Sequence, residues 1–349
     1  MTSTGAARPR LSIGLPVYNS SDYVAEAIES LLGQTYTDFE LVISDNASTD
    51  GTADICRDYA EQDDRVRYFR QPQNIGLAPN HNFVFRESRG EFFKWAASDD
   101  LYARDLLERC VAALDENPQV VLAHAWEAAI DASGTVTQAL EYPLTTDSPS
   151  APERFRSFLF GSSGLFDSGQ GDGSMVRIDN NGILRACDEY GVIRSDVLRA
   201  INPLGSYHHS DRIVVCELLL RGPFHITPDW LYFRRDFPDR TYNTSPSLRA
   251  RCAILDPARA SRLKNPAARL LAEYMWGYVA AIKNAPLTPA DRRECLGHLM
   301  RWMADRAASQ FVRRHLEPVG GQYSEILKDR EITVAAVVAG QEHRYQEQR

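Results

Sequence analysis

The sequence predicts an α/β protein: a mostly parallel sheet flanked by helices, followed by an all-helical C-terminal region. Three observations lead there. Over the first 130 residues, short apolar runs alternate with amphipathic segments, which is the pattern of βαβ units. Polar clusters at residues 16–19, 45–50 and 98–100 follow three of those runs directly, and parallel sheets bind ligands outside the carboxyl ends of their strands. From about residue 247 the pattern is helical only.

The elements follow in order. The run from Leu11 to Val17 reads as a strand that ends in the turn residues Tyr18, Asn19 and Ser20. Asp22 heads a helix carrying Val24, Ile28, Leu31 and Leu32 at helical spacing. A second strand at 39–44 gives way to DNASTDG, and a helix follows at 52–61. A third strand at 66–70 leads through QPQNIG to a helix at 79–88. A fourth strand, 92–97, stops at Ser98, Asp99 and Asp100, and a helix at 104–117 precedes a strand at 120–126. Beyond it, 143–150 reads as a loop and the glycine-rich segment 161–182 as a mobile one. Helices are expected at 195–200 and 211–221, and a strand at 224–233. The expected division is 1–245 for the α/β domain, with halves at 10–130 and 131–245, then a helical extension at 246–349.

Composition excludes several classes. Among 349 residues, 39 basic side chains stand against 47 acidic ones, a formal charge of −8, with the basic residues scattered. A nucleic-acid binder needs a clustered basic face. Six cysteines lie far apart with no CxxC pair, which fits reduced thiols better than a disulfide framework. The polar opening MTSTGAARPR lacks the apolar core of a signal peptide. No apolar stretch has the length of a membrane span. A cytoplasmic protein, soluble or peripheral to a membrane, is expected.

Chemistry concentrates at the strand ends. Paired carboxylates such as Asp99 and Asp100 can hold Mg²⁺ or Mn²⁺, hard cations that share their remaining sites with substrate phosphates. The same residues, or Ser98, serve equally as helix caps. DNASTDGT carries the same two readings, since Asp, Asn and Ser also make turns. Neither G-x-G-x-x-G nor G-x-x-x-x-G-K-[ST] is present, nor G-x-S-x-G or H-E-x-x-H. A nucleotide whose diphosphate is neutralised by metal satisfies these constraints. Trp95 is expected in the core, and Lys94 either beside it or facing a phosphate. Met275, Trp276 and Tyr278 read as helix packing rather than a sugar platform.

The segment LSIGLPVYNSSDYVAEAIESLLGQTYTDFELVISDNASTDGT resembles the opening of the family 2 glycosyltransferases, which have the GT-A fold. The likeness continues through NIGLAPNHNF and RGEFFKWAASDDLY, where the family carries its DxD metal motif. It resumes more weakly at EYGVIRSDVL and SDRIVVCELLLRGPFHITPDWLYFRR. The resemblance implies that Pro16, Tyr18 and Asn19 line the nucleotide pocket and that Asp45 accepts a hydrogen bond from the base, usually uracil. Asn74, Gly76 and Asn82 match the segment that approaches nucleotide and sugar. Ser98 and Asp99 fall at the donor site, with Asp99 as the metal-binding acid of DxD and Asp100 beside it. Asp211 falls where the family places its catalytic aspartate.

Three departures accompany the likeness. Ala97 replaces the first acid of DxD, Ser210 stands where glutamate often precedes the catalytic aspartate, and Asp236 replaces a histidine that ligates metal. The Q-x-x-R-W motif of processive synthases is missing. The resemblance therefore implies an inverting transferase that uses Mn²⁺ or Mg²⁺. It would move a sugar from a nucleotide diphospho-sugar, usually UDP-linked, to the hydroxyl of a saccharide, a lipid-linked saccharide or a small metabolite. A nucleotidyltransferase and a non-catalytic nucleotide-sugar-binding protein are the alternatives. The helical C-terminal part is expected to cover the acceptor side or to form a homodimer contact.

Overall fold

The computed structural model describes residues 8–140, 144–160, 188–207, 209–236, 247–261 and 263–313. Strands β1 (Leu11–Val17), β2 (Phe39–Asp45), β3 (Val66–Arg70) and β4 (Phe92–Trp95) are parallel and lie in the order 3-2-1-4. The chain runs outward from β1 to β3 and then returns to the other side of β1 at β4. That reversal opens a crevice between the carboxyl ends of β1 and β4, where open α/β sheets bind ligands. The other half of the sheet is mixed. Strand β8 (Val192–Arg194) pairs antiparallel with β4 and with β6 (Leu122–Ile130). Strand β9 (Phe224–Arg235) runs parallel to β6, while β5 (Leu101–Tyr102) and β7 (Val136–Leu140) pair antiparallel with β9 and β6.

Helices α1 (Val24–Leu32), α2 (Thr52–Gln62), α3 (Leu77–Arg86) and α4 (Leu106–Glu116) follow the first four strands. Both faces of the sheet are buried, as the alternation of strand side chains requires. Leu41 and Ile43 on β2, and Phe92 on β4, join a cluster with α1, α2 and α4. Val42, Phe93 and Trp95 point the other way, into a cluster with α5 (Ala151–Phe160), α7 (Ser210–Leu219), α9 (Ala267–Asn284) and α10 (Pro289–Arg313). Tyr278, Ile282, Cys295 and Trp302 belong to that second cluster, so the change to helices at 246 is not a change of core.

The regular first half agrees with the sequence reading to within a few residues. Strands β5, β7 and β8 and helix α5 were not expected; β5 has two residues and β8 three, too few to show a period. The fourth strand ends at Trp95 rather than Ala97, because the Ala97 amide turns to the Tyr102 hydroxyl at 2.8 Å. The segment 161–182 lies outside the described residues. No helix among the described residues is long and apolar enough to cross a membrane.

Candidate active site

The donor end is a set of loops tied to one another. After β1, Asn19 takes a left-handed backbone (φ 47°), accepts the Thr49 amide on its side-chain oxygen at 2.8 Å and donates its own amide to Ser48 Oγ at 2.9 Å. The Ser20 and Ser21 amides go to Thr52 Oγ1 and Asp50 Oδ2. Asn46 at the end of β2 reaches the next loop, donating to Asn74 Oδ1 (3.0 Å) and the Gly76 carbonyl (3.2 Å) and accepting the Ile75 amide (2.8 Å). Tyr18 projects from the rim, 47% exposed, with Pro16 half-buried behind it. These hydrogen bonds hold the three loops to one another.

Asp45 sits under this rim and is fully buried. Its oxygens receive Arg70 Nη1 (2.9 Å), the Tyr68 hydroxyl (3.0 Å) and the Ser48 amide (2.8 Å). Burial and the Asp45 charge push the Tyr68 phenol up to about 12, so it remains a donor. The expectation that the Asp45 carboxylate itself meets the base is corrected here: the group presented to solvent is the half-exposed Arg70 guanidinium, clamped between Asp45 and the Ser48 carbonyl.

The two aspartates after β4 part company. Asp100 turns inward, fully buried, and accepts the Tyr232 hydroxyl and the Arg235 amide from β9. Both its oxygens are engaged, so Asp100 is a brace of the turn and not a metal ligand. Asp99 keeps its side chain half-buried at the surface, while its carbonyl accepts Arg235 Nε at 2.9 Å. The buried Arg235 also reaches Glu26 Oε2 (2.7 Å) and the Ala132 carbonyl (2.8 Å) and lies over the Tyr23 ring. It fixes the Asp99 turn to β1–α1 and to β6–β7. Asp236, the next residue, is exposed. Among the described residues no group of three or more His, Cys, Asp or Glu side chains is arranged to hold a metal ion. The chain offers Asp99 and Asp236, a donor set suited to a hard cation that takes its other ligands from a diphosphate.

Asp211 lies in the first turn of α7, half-buried, with the Arg212 amide on its Oδ1 at 2.9 Å. Its charge acts on Tyr207, just before α7, and on two groups from more distant elements. One is His81 on α3, whose carbonyl accepts the Trp95 indole N–H at 3.1 Å. Burial holds the His81 imidazole down to about 4, against the pull of Asp211. The other is Glu189, in a single 3₁₀ turn at Asp188–Tyr190, whose acid is pushed well up by burial and then by Asp211.

Two further expectations are corrected. Lys94 is buried on the face opposite Phe93 and Trp95, its ammonium on the Tyr190 carbonyl and over the rings of Tyr102 and Tyr232, so it faces no phosphate. Asn82 gives both ends of its amide to the Leu204 backbone, 2.9 Å each way, and joins α3 to the segment before α7. Trp95 and Tyr278 are core as expected, whereas Trp276 is 66% exposed. Sequence reasoning missed Asn46, Arg70, His81, Glu189 and Arg235. Asn46, His81, Glu189 and Arg235 lie inside the quoted motifs, whereas Arg70 falls just before QPQNIG and shows its role only through its contact with Asp45.

A parallel 3-2-1-4 half-sheet with a carboxylate at its switch point defines the GT-A class of α/β proteins, and solved structures agree. The chain is similar to S. aureus TarS 1–349 in complex with UDP-GlcNAc, with TM-score 0.59 and 16% identity over 88% of this chain and 76% of that one. A second structure of S. aureus TarS gives TM-score 0.55 and 18% identity over 83% and 43%. Residues 12–177, just under half of the chain, match the family model for Glycosyl transferase family 2. It is 34% identical over 126 residues to an uncharacterized glycosyltransferase of Haemophilus influenzae, covering 36% of this chain and 50% of that protein. It is 33% identical over 102 residues to the putative teichuronic acid biosynthesis glycosyltransferase TuaG of Bacillus subtilis, covering 29% and 40%. The chain thus spans half or less of the length of these relatives.

Proposed function

We propose that the chain transfers a sugar from a nucleoside diphospho-sugar, of the UDP class, to an acceptor hydroxyl with inversion at the anomeric carbon. One observation carries the reading: Asp99 and Asp211, two half-buried carboxylates, stand at the same end of the sheet. Asp99 is pinned at the end of β4 by Arg235, and the charge of Asp211 acts on His81, whose carbonyl accepts the Trp95 indole of β4. A UDP-sugar complex of the structurally similar TarS supports the donor class.

Asp99, with Asp236 beside the same turn, would hold a divalent metal, Mn²⁺ or Mg²⁺, which neutralises a diphosphate leaving group when bound. Asn19, Asn46, Asn74 and Gly76 shape the nucleotide pocket, and Arg70, set by Asp45, lies at its rim. Asp211 takes the proton of the acceptor hydroxyl. The acceptor oxygen forms its bond to the anomeric carbon as the bond from that carbon to the β-phosphate oxygen breaks, and the nucleoside diphosphate departs with the electron pair. His81, neutral at working pH, adds no positive charge beside the base.

The test is metal-dependent UDP release from a panel of UDP-sugars, with products detected by mass, in wild type and Asp211→Asn. Asparagine caps a helix as well as aspartate but takes no proton. Turnover lowered roughly 10²–10⁴-fold at unchanged donor affinity supports the base; normal turnover in the folded variant refutes it.

A further inference from the structure

Helix α7 carries the proposed base on an otherwise buried element. From Ser210 to Leu219 every residue is buried except Asp211, so the place of its carboxylate is set by what packs around the first turn of that helix. One neighbour is α9, in the C-terminal helical region and beyond the residues 12–177 that match the family model. The two helices meet at Gly277. A Cβ added there would stand 2.9 Å from Ile213 Cγ1 and 3.0 Å from the Tyr207 hydroxyl oxygen, so the contact has no room for even the smallest side chain. Glycine in the middle of a helix is unfavourable relative to alanine, and the close approach of α7 is what the position gains in return.

The turn that leads into α7 is held by the same helix. The Ser210 amide closes it on the Tyr207 carbonyl at 3.1 Å, and His209 takes a left-handed backbone with φ 62°, a region that a residue with a Cβ enters at a cost. Its ring packs on Tyr274 of α9, the centroids 5.5 Å apart. The Tyr274 hydroxyl in turn meets that of Tyr278 at 2.9 Å. On the other side, Arg212 is buried with its guanidinium 5.1 Å from the centre of the Phe158 ring of α5. Residues 207, 209 and 213 therefore rest on α9 and residue 212 on α5, with Asp211 carried between them.

We propose that Gly277 and Tyr274 of α9 are positioning residues of the general base: they seat Tyr207, His209 and Ile213, before and after Asp211 in the chain, and so fix where its carboxylate meets the acceptor. This rests on the reading of Asp211 as base. Asp211 remains the group that takes the proton, and α9 acts only through the backbone that carries it. Side chains packed this closely transmit a displacement rather than absorb it, and a catalytic group moved by about 1 Å loses about 10²-fold in rate. The nucleotide loops are tied to one another by their own hydrogen bonds, so a change at Gly277 is expected in kcat and not in donor binding.

The experiment measures kcat, donor KM and UDP affinity in wild type, Gly277→Ala, His209→Gly and Asp211→Asn. Gly277→Ala lowers kcat by about 10²-fold with donor KM and UDP affinity unchanged. Adding Ile213→Val and Tyr207→Phe takes Ile213 Cδ1 and the Tyr207 hydroxyl away from the new methyl, 3.2 and 3.0 Å from where it stands, and raises kcat back toward wild type. His209→Gly keeps the left-handed backbone but removes the ring from Tyr274, and it lowers kcat likewise at unchanged UDP affinity. Wild-type kcat in Gly277→Ala overturns the proposal, as does the absence of that rescue or a loss of UDP affinity in step with kcat. If Gly277→Ala does not fold, His209→Gly decides alone: wild-type kcat there, or UDP affinity lost with kcat, overturns the proposal. Full activity in Asp211→Asn overturns the base reading itself. Inactivity there, with wild-type kcat in Gly277→Ala and His209→Gly, overturns only the role of α9.

Discussion

Replacing Gly76 by alanine tests how tightly the nucleotide loop is built against the C-terminal helices. Gly76 has φ 92° and ψ 162°, a region of backbone space that is essentially glycine-only and costs other residues about 1–3 kcal/mol. An alanine Cβ would stand 2.5 Å from the Leu255 carbonyl oxygen, 2.9 Å from Asp256 Cα and 2.9 Å from Pro257 Cδ. These atoms belong to the end of helix α8 (Leu248–Leu255) and the turn after it, and two of them are backbone. Overpacking of that kind adds about 1–3 kcal/mol. The two terms together predict a loss of about 2–6 kcal/mol, seen as a Tm lowered by about 2–4 °C for each kcal/mol. The loop carries the strain toward the site, because the Gly76 amide donates to Asn74 Oδ1 at 2.9 Å and its carbonyl accepts from Asn46. UDP affinity should therefore fall along with Tm. Gly76→Asn is the control: asparagine tolerates the left-handed helical region but not a ψ near 160°, so it should not rescue. Wild-type Tm in Gly76→Ala, or recovery in Gly76→Asn, would refute the reasoning.

Ala47, with φ 61°, is strained in the ordinary left-handed region. Ala47→Gly should raise stability by about 0.5–1 kcal/mol, the relief of strain less the added chain entropy; chemical denaturation measures it. Asp99→Asn should abolish the metal dependence of UDP binding and leave Tm near wild type. Asp100→Asn should do the reverse, costing about 1–3 kcal/mol by disturbing the acceptor of Tyr232 and Arg235 while the remaining folded protein still binds UDP with metal; titrations with and without chelator separate the two. Burial holds the His124 imidazole down to about 4. As pH drops from about 6.5 to 4 the unfolded chain takes up a proton that the folded chain refuses, so stability falls through that window, by about 3 kcal/mol at most. His124→Gln should flatten that part of the slope in urea unfolding at stepped pH, and an unchanged slope would assign it to other groups.

The parallel half of the fold was legible because each strand there has at least four residues and each is followed by a helix with its own period. The mixed half was not. Strand β5 exists because Leu101 and Tyr102 pair with Phe233 and Tyr232, a relation across more than 130 residues that no local pattern carries. The same distance explains the errors at the site. Asp99 and Asp100 are equivalent in the sequence, but successive residues at a strand end point to opposite sides, and only β9 decides which side is filled. Tyr232 and Arg235 fill the side of Asp100. Lys94 read as a phosphate ligand because it precedes an acidic pair, yet its face of β4 is covered by Tyr102 and Tyr232.

Charge at the site follows from these placements. Asp45, Asp99, Asp100 and Glu189 are four of the acidic groups at this end of the fold, and they are held in different ways. Asp100 receives two donors, Asp45 receives three, and Glu189 is pushed toward its neutral form by burial and by Asp211. Asp99 keeps a half-buried position, and its carbonyl accepts Arg235 Nε. A diphosphate brings further negative charge to this end of the sheet, so an uncompensated set of carboxylates would repel it. Two of them are engaged by protein donors and Glu189 is pushed toward its neutral form, which lowers the negative charge that a diphosphate would meet. On the proposed reading, a cation at Asp99 and Asp236 would offset the rest of that charge, and Asp211 would be the carboxylate that serves the acceptor.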